Sequence, residues 1–220
     1  MLGATDHTEL LRPDLLDGVL LLLAAGEAGE HEQVGARAFA PALDAACAQL
    51  GARTATWQTG EPVPAGVDLL VVDGAALFDA NRVASGAQAA EAPSRAALRA
   101  CLDGAWEASH AVANAAFIEP GRPGRIVYLA PPSALASNAA PTSGASAAEH
   151  ADAARAGLEN LARTLSIEWA RHGVTTVTIA PGERTSAGEV AALCAYLASP
   201  AGAYFSGCLL DLRGVEPARR

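Results

Sequence analysis

Short apolar runs alternate along the chain with longer stretches in which apolar residues return every three or four positions. Residues 19–25, 53–57, 67–72, 125–129, 174–180 and 208–212 are read as strands, and most are continuous enough in apolar character to be buried on both faces. Residues 34–50, 94–117, 146–171 and 189–197 are read as helices. The helix over 146–171 shows its period most plainly, with Ala154, Leu158, Leu161, Leu165 and Trp169 on one stripe. Ser146 and Glu149 stand at capping-box spacing at its start. Gly51 ends the helix over 34–50, and Pro41 either kinks that helix or opens its regular part. Strands separated by helices predict a parallel sheet covered on both faces, a doubly wound three-layer α/β/α sandwich. Residues 131–145, PPSALASNAAPTSGA, read as an irregular connection. Pro13 and Pro217 mark short irregular ends over about residues 1–15 and 215–220.

A length of 220 residues suits one domain with a continuous core. Alanine is abundant and aromatics make up only 5% of the chain, so helices can approach the sheet closely. The net charge of -9 argues against nucleic acid as a partner, because phosphate binding needs clustered cations and here the arginines are scattered among more numerous acids. The uncharged run 18–26 is too short to cross a bilayer. Asp6, Glu9, Asp14 and Asp17 precede it against a lone Arg12, the reverse of the basic region of a secretory signal. A buried first strand, no membrane association and a cytoplasmic protein are expected. Cys47, Cys101, Cys194 and Cys208 have no Cys-x-x-Cys spacing and sit among apolar residues, so free thiols in the core are expected.

The segment SAAEHADAARAGLENLARTLSIEWARHGVTTVTIAPG at 146–182 resembles the active-site helix and following strand of the short-chain dehydrogenase/reductase family. VDLLVVDGA at 67–75, GRIVYLA at 124–130 and EVAALCAYLASPAGAYFSGCLLDLRG at 189–214 resemble further family segments in the family's order. The resemblance covers about residues 15–214 and implies a Rossmann-like sheet. It also implies where the family's catalytic Asn, Ser, Tyr and Lys would stand: at Cys101, Pro131, Ala151 and Arg155. No lysine occurs anywhere in the chain. Alanine has no titratable atom and proline's side chain no donor, while loss of one general acid costs about 10² to 10⁴ in rate. Arginine stays protonated at neutral pH and cannot shuttle a proton, so Arg155 is assigned a surface or helix-packing contact.

The cofactor end departs from the family in the same way. After the first strand the turn is AAGEAGEHEQVG, where Gly26, Gly29 and Gly35 lack the family spacing and Glu27, Glu30 and Glu32 occupy the place of a diphosphate. After the second strand stand Trp57, Gln58 and Thr59, with no acid for a ribose and no arginine for a 2′-phosphate. By resemblance, Gly26, Gly29, Asp73, Gly74, Pro181 and Gly182 are the vestige of a cofactor site. Residues 183–188 replace the longer segment that covers substrate in the family. As substitutes for the missing chemistry, Ser133 and His150 form a conceivable but disfavoured pair, because one residue along a helix turns His150 by about 100° from the tyrosine face. Tyr128, Tyr196 and Tyr204 are read as packing residues.

These features imply a catalytically silent family member with weakened or lost NAD(P) binding, no cofactor being expected, that serves as an assembly or regulatory subunit. Its partner would be itself or an active relative, met through the helices over 94–117 and 146–171, with Trp106 or Trp169 as interface or core residues. A divergent oxidoreductase using NAD or NADP, and a small-molecule sensor using the vacated crevice, are the alternatives. No metal site is expected.

Overall fold

The computed structural model describes residues 13–24, 39–84, 92–131, 145–182 and 184–213. In chain order its elements are β1 (Leu20–Ala24), α1 (Phe39–Gln49), β2 (Arg53–Trp57), β3 (Leu69–Asp73), α2 (Gly74–Ala84), α3 (Ala92–Val112), β4 (Gly124–Leu129), α4 (Ala145–Glu168), β5 (Val174–Ala180), α5 (Ala187–Ala198) and β6 (Cys208–Asp211). The strands form one parallel sheet in the order β2-β1-β3-β4-β5-β6. The chain moves outward from β1 to β2, then crosses back to β3 on the other side of β1. That reversal defines a crevice at the carboxyl ends of β1 and β3, where open α/β sheets bind ligands.

Alternation along the strands sorts the core into two layers. Leu20, Leu22, Leu70, Val72, Ile126 and Tyr128 face α2, α3 and α4, whereas Leu21, Leu23, Leu69, Val71, Val127 and Leu129 face α1 and α5. Small residues set the helix spacing, as the sequence predicts. A Cβ on Gly157 of α4 would lie 2.6 Å from the Leu102 side chain of α3, so Leu102 packs directly onto the glycine. Thr176 and Thr178 are fully buried on β5, and their hydroxyls donate to the carbonyls of Ala162 and Leu158, stitching α4 to the sheet.

Several expectations need correction. Helix α2 follows β3 with no intervening loop and is not anticipated by the apolar pattern. The helix expected over 94–117 changes winding at Ala113 and ends as a π-helical segment, Ala113–Ile118. The helix expected over 146–171 ends its α-helical part at Glu168, and a 3₁₀ turn, Ala170–His172, leads into Gly173 with φ of 71°. Residues 58–68 connect β2 to β3 without a strand or helix, so the side of the sheet beyond β1 is a single strand wide. The usual dinucleotide-binding order places two strands there. Tyr204 is 91% exposed and does not pack, and Trp169 rests half-buried against the core while Trp106 is 46% exposed. The side chains of Ser146 and Glu149 lie outside what is described, but Ser186 and Glu189 form a complete capping box on α5. Pro41 sits in the first described turn of α1, consistent with the helix-opening role. Cys47, Cys101 and Cys194 are buried free thiols and Cys208 is half-buried. Among the described residues no helix is long and apolar enough to cross a membrane.

Candidate functional site

Among the described residues, those aligned with catalytic and cofactor positions lie at or against the carboxyl ends of β3, β4 and β5. Asp73 closes β3 and is only 4% exposed. Its carboxylate accepts the N–H of Ala76 at 2.9 Å and caps α2, which answers the unpaired amides of that helix start. Burial outweighs the N–H groups of Ala76 and Ala75 and raises its pKa to about 6. Gly74 is required by packing: a Cβ there would stand 2.6 Å from the Leu129 carbonyl and 2.7 Å from Leu158. Cys101 holds this junction from below, its thiol donating to the Gly74 carbonyl at 3.2 Å. Burial pushes the Cys101 thiol up to about 12, so it is a tether and not a nucleophile at neutral pH.

Ala151 is buried at 7% exposure and offers a methyl group where the resemblance places a proton donor. One turn later, Arg155 departs from the surface half of the expected surface or helix-packing contact: it is buried and ties α4 to two strand ends. It is 6% exposed, and its Nη1 donates to the carbonyl of Pro131, at the end of β4, and to that of Pro181, at the end of β5, the latter at 3.3 Å. Its Nε lies 4.0 Å from Asp152. Burial and the nearby Arg213 pull its pKa below the ordinary arginine value, while Asp152 and Asp211 oppose them. The guanidinium nevertheless stays charged, because arginine starts far above neutrality. The Nη2 of Arg155 is buried and has no hydrogen-bond partner.

Asp152, Arg155, Ala156 and Glu159 occupy one flank of α4 at helical spacing and, with Ala180, Leu209 and Arg213, line a cleft of about 170 Å³ over β5 and β6. Arg213 holds Asp211 with three bonds, Nη2 at 2.6 Å, Nε at 2.8 Å and its backbone N–H at 3.0 Å, and these hold the Asp211 carboxyl down at about 2. Glu159 accepts from Arg163 at 2.6 Å. The 152, 155, 156, 159 spacing is visible in the sequence, but the pairing of that flank with the end of β6 is a tertiary fact that no local signal carries. Gly182 is fixed against the same strand end, since a Cβ there would lie 2.8 Å from the Arg213 Cα.

Elsewhere the positions singled out from the sequence close on themselves. The Trp57 indole donates to the Glu61 carbonyl at 3.1 Å and the Gln58 N–H to the Glu61 carboxylate at 3.0 Å, so a tight turn occupies the end of β2. Tyr128 is fully buried, its hydroxyl 2.7 Å from that of Ser109, and burial drives its pKa upward, which confirms packing. Tyr196 lies partly exposed, edge-on to Phe205. His150 is half-buried in α4. Ser133, Gly26, Gly29, Gly35, Glu27, Glu30 and Glu32 lie outside the described residues. No cluster of three or more metal-ligating side chains occurs among the described residues.

A doubly wound parallel sheet sets its ligand crevice outside the carboxyl ends of the strands, where these polar groups collect. No family model matches the chain, and no curated protein matches it. Solved structures do. The chain is similar to a citronellol catabolism dehydrogenase of Pseudomonas aeruginosa PAO1 at 22% identity, covering 91% of this chain and 95% of that one with a TM-score of 0.62. It is similar to a short-chain type dehydrogenase/reductase from Mycobacterium marinum at 16% identity, covering 92% and 96% with a TM-score of 0.65. A 7α-hydroxysteroid dehydrogenase complexed with NADH and 7-oxo glycochenodeoxycholic acid matches at 17% identity over 94% of this chain and 96% of its own, with a TM-score of 0.60. The fold is therefore that of the short-chain dehydrogenases, and the Rossmann-like expectation holds.

Proposed function

We propose that this chain is a short-chain dehydrogenase/reductase relative without dehydrogenase chemistry, acting as an assembly or regulatory subunit. The observation that carries this reading is the pair on α4: a buried alanine at the proton donor's place, and a buried arginine whose Nη1 is committed to the carbonyls of Pro131 and Pro181. An alanine cannot donate, and a guanidinium that stays charged cannot relay a proton. The turn at Glu61 and the narrowed sheet beyond β1 favour loss of the cofactor as well, since both lie where a dinucleotide's ribose is held in folds of this kind. Trp106 on α3 at 46% exposure and Ile167 on α4 at 76% supply apolar surface for a second copy or an active relative.

Titration with NADH and NADPH, followed through tryptophan fluorescence, is the test. The expected result is no saturable change up to millimolar cofactor. Sedimentation is expected to give a dimer or larger assembly, alone or with an active relative. Saturable NADH binding would instead make the chain a divergent oxidoreductase, and a compact monomer under all these conditions would remove the assembly role.

A further inference from the structure

We propose that the outer edge of β2 pairs with β2 of a second copy of this chain, antiparallel about a two-fold axis through Ala55. The starting point is the narrowed sheet. β2 is the last strand on its side, and among the described residues no strand pairs with its outer edge. An edge of this kind is a template for another strand. Hydrogen bonding fixes which groups lie on it. The Arg53 N–H donates to the Val19 carbonyl at 2.9 Å, so Arg53 and, by alternation, Ala55 and Trp57 turn their backbone groups toward β1. Thr54 and Thr56 turn theirs outward.

The order of groups along that edge selects a second copy as the occupant. In an antiparallel pair, residues that exchange both backbone bonds stand directly opposite each other, and Thr54 opposite Thr56 of the second copy meets this condition in both directions. The axis then passes through Ala55, whose small side chain lets the two backbones approach. Threonine opposite threonine is itself a favourable cross-strand pair. In the same register Arg53 stands opposite Trp57 of the second copy. Glu61 is held against that tryptophan on each chain, because the indole donates to the Glu61 carbonyl at 3.1 Å. Arg53 is exposed and has no ion pair among the described residues. The Glu61 carboxylate accepts the Gln58 N–H at 3.0 Å and has lone pairs left for a guanidinium. The edge therefore begins with a cation and ends with an anion, an order that complements itself when one copy is reversed. This contact lies apart from Trp106 and Ile167, and it rests on the assembly reading above for its purpose.

Sedimentation of the full chain carrying Ile167→Asp isolates the β2 contact from the α4 surface. A concentration-dependent dimer is expected to persist in that background. Adding Arg53→Glu sets like charges opposite each other across the axis and is expected to weaken the dimer about tenfold or more. Adding Glu61→Arg as well restores the opposite pairing, and the dimer with it. Thr56→Pro removes an outward N–H while leaving the bonds to β1 in place, and is expected to weaken association by a similar factor. Should the proline variant fail to fold, the charge exchange alone decides. A monomer with Ile167→Asp, or a dimer indifferent to Arg53→Glu, overturns the β2 contact, and weakening that the exchange does not restore overturns its register. The two readings stay separable: an assembly abolished by Ile167→Asp leaves the subunit role standing without this contact, and saturable NADH binding sinks the silent-subunit role without touching it.

Discussion

Asp73 and Arg155 are two buried charges of opposite sign at the same edge of the sheet, and the chain treats them differently. Asp73 sits in a closed arrangement, where the first amides of α2 answer its carboxylate and Gly74 and Cys101 seal the junction. Arg155 spans the ends of β4 and β5 but keeps one nitrogen, itself buried, without a partner. A charge answered wholly by backbone belongs to the architecture. A charge answered in part is held by the fold at a cost that its remaining contacts must offset.

The sharpest way to break this contrast is Arg155→Ala. It leaves the Pro131 and Pro181 carbonyls and Asp152 without their guanidinium, and removing one member of a buried charged group typically costs about 3 to 5 kcal/mol. Chemical denaturation at neutral pH measures it, and a loss below about 1 kcal/mol would show that Arg155 is not a structural tie. Asp73→Asn tests the other side through pH. Because the native carboxyl titrates near 6 and the ordinary value is 3.8, its protonated form favours the fold, and this contribution is lost as pH rises from about 4 through 6. The size is about 2 to 3 kcal/mol. Asparagine keeps a cap oxygen without a charge to bury. Unfolding curves at pH 4 and pH 7 are therefore expected to show the variant gaining on the wild type by roughly that amount at the higher pH. An unchanged difference would place Asp73 in a wetter setting than its burial indicates. Ser186→Ala is the small-scale control. It removes an exposed cap on α5, where the Ser186 hydroxyl accepts from the Glu189 N–H at 3.3 Å, and should lower the melting temperature by the equivalent of about 1 kcal/mol. No pH dependence like that of Asp73 is expected.

The strands were legible because apolar runs in a sheet covered on both faces leave little ambiguity, and β2 and β5 fall on the residues expected. Helix α2 escaped because Gly74 starts it directly after β3, and its cap, Asp73, reads in sequence as part of a cofactor motif. The winding change in α3 escaped for a different reason. Ala111, Ala113, Ala115 and Ala116 carry too little side-chain contrast to report the phase of a helix. At the site, the resemblance sets Cys101, Pro131 and Ala151 at the family's catalytic positions, and the sequence alone shows that the side chains of Pro131 and Ala151 carry no donor. The place of Arg155 was not legible, since an arginine in an alanine-rich helix looks solvent-facing until β4 and β5 bring two carbonyls to it.

The π-helical segment Ala113–Ile118 acts as a gear change between α3 and the sheet. The amides of Glu119 and Arg122 reach back five residues, to the carbonyls of Asn114 and Phe117, so one extra residue is wound in without lengthening the axis by a full turn. That half-step swings Phe117 beneath the start of β4, onto Gly124, where even a methyl group would collide with the ring at 2.3 Å. The glycine and the widened winding are thus one fitting made of two distant parts. Removing a single residue from the segment would restore ordinary helical gearing and rotate Phe117 by about 100° away from its seat.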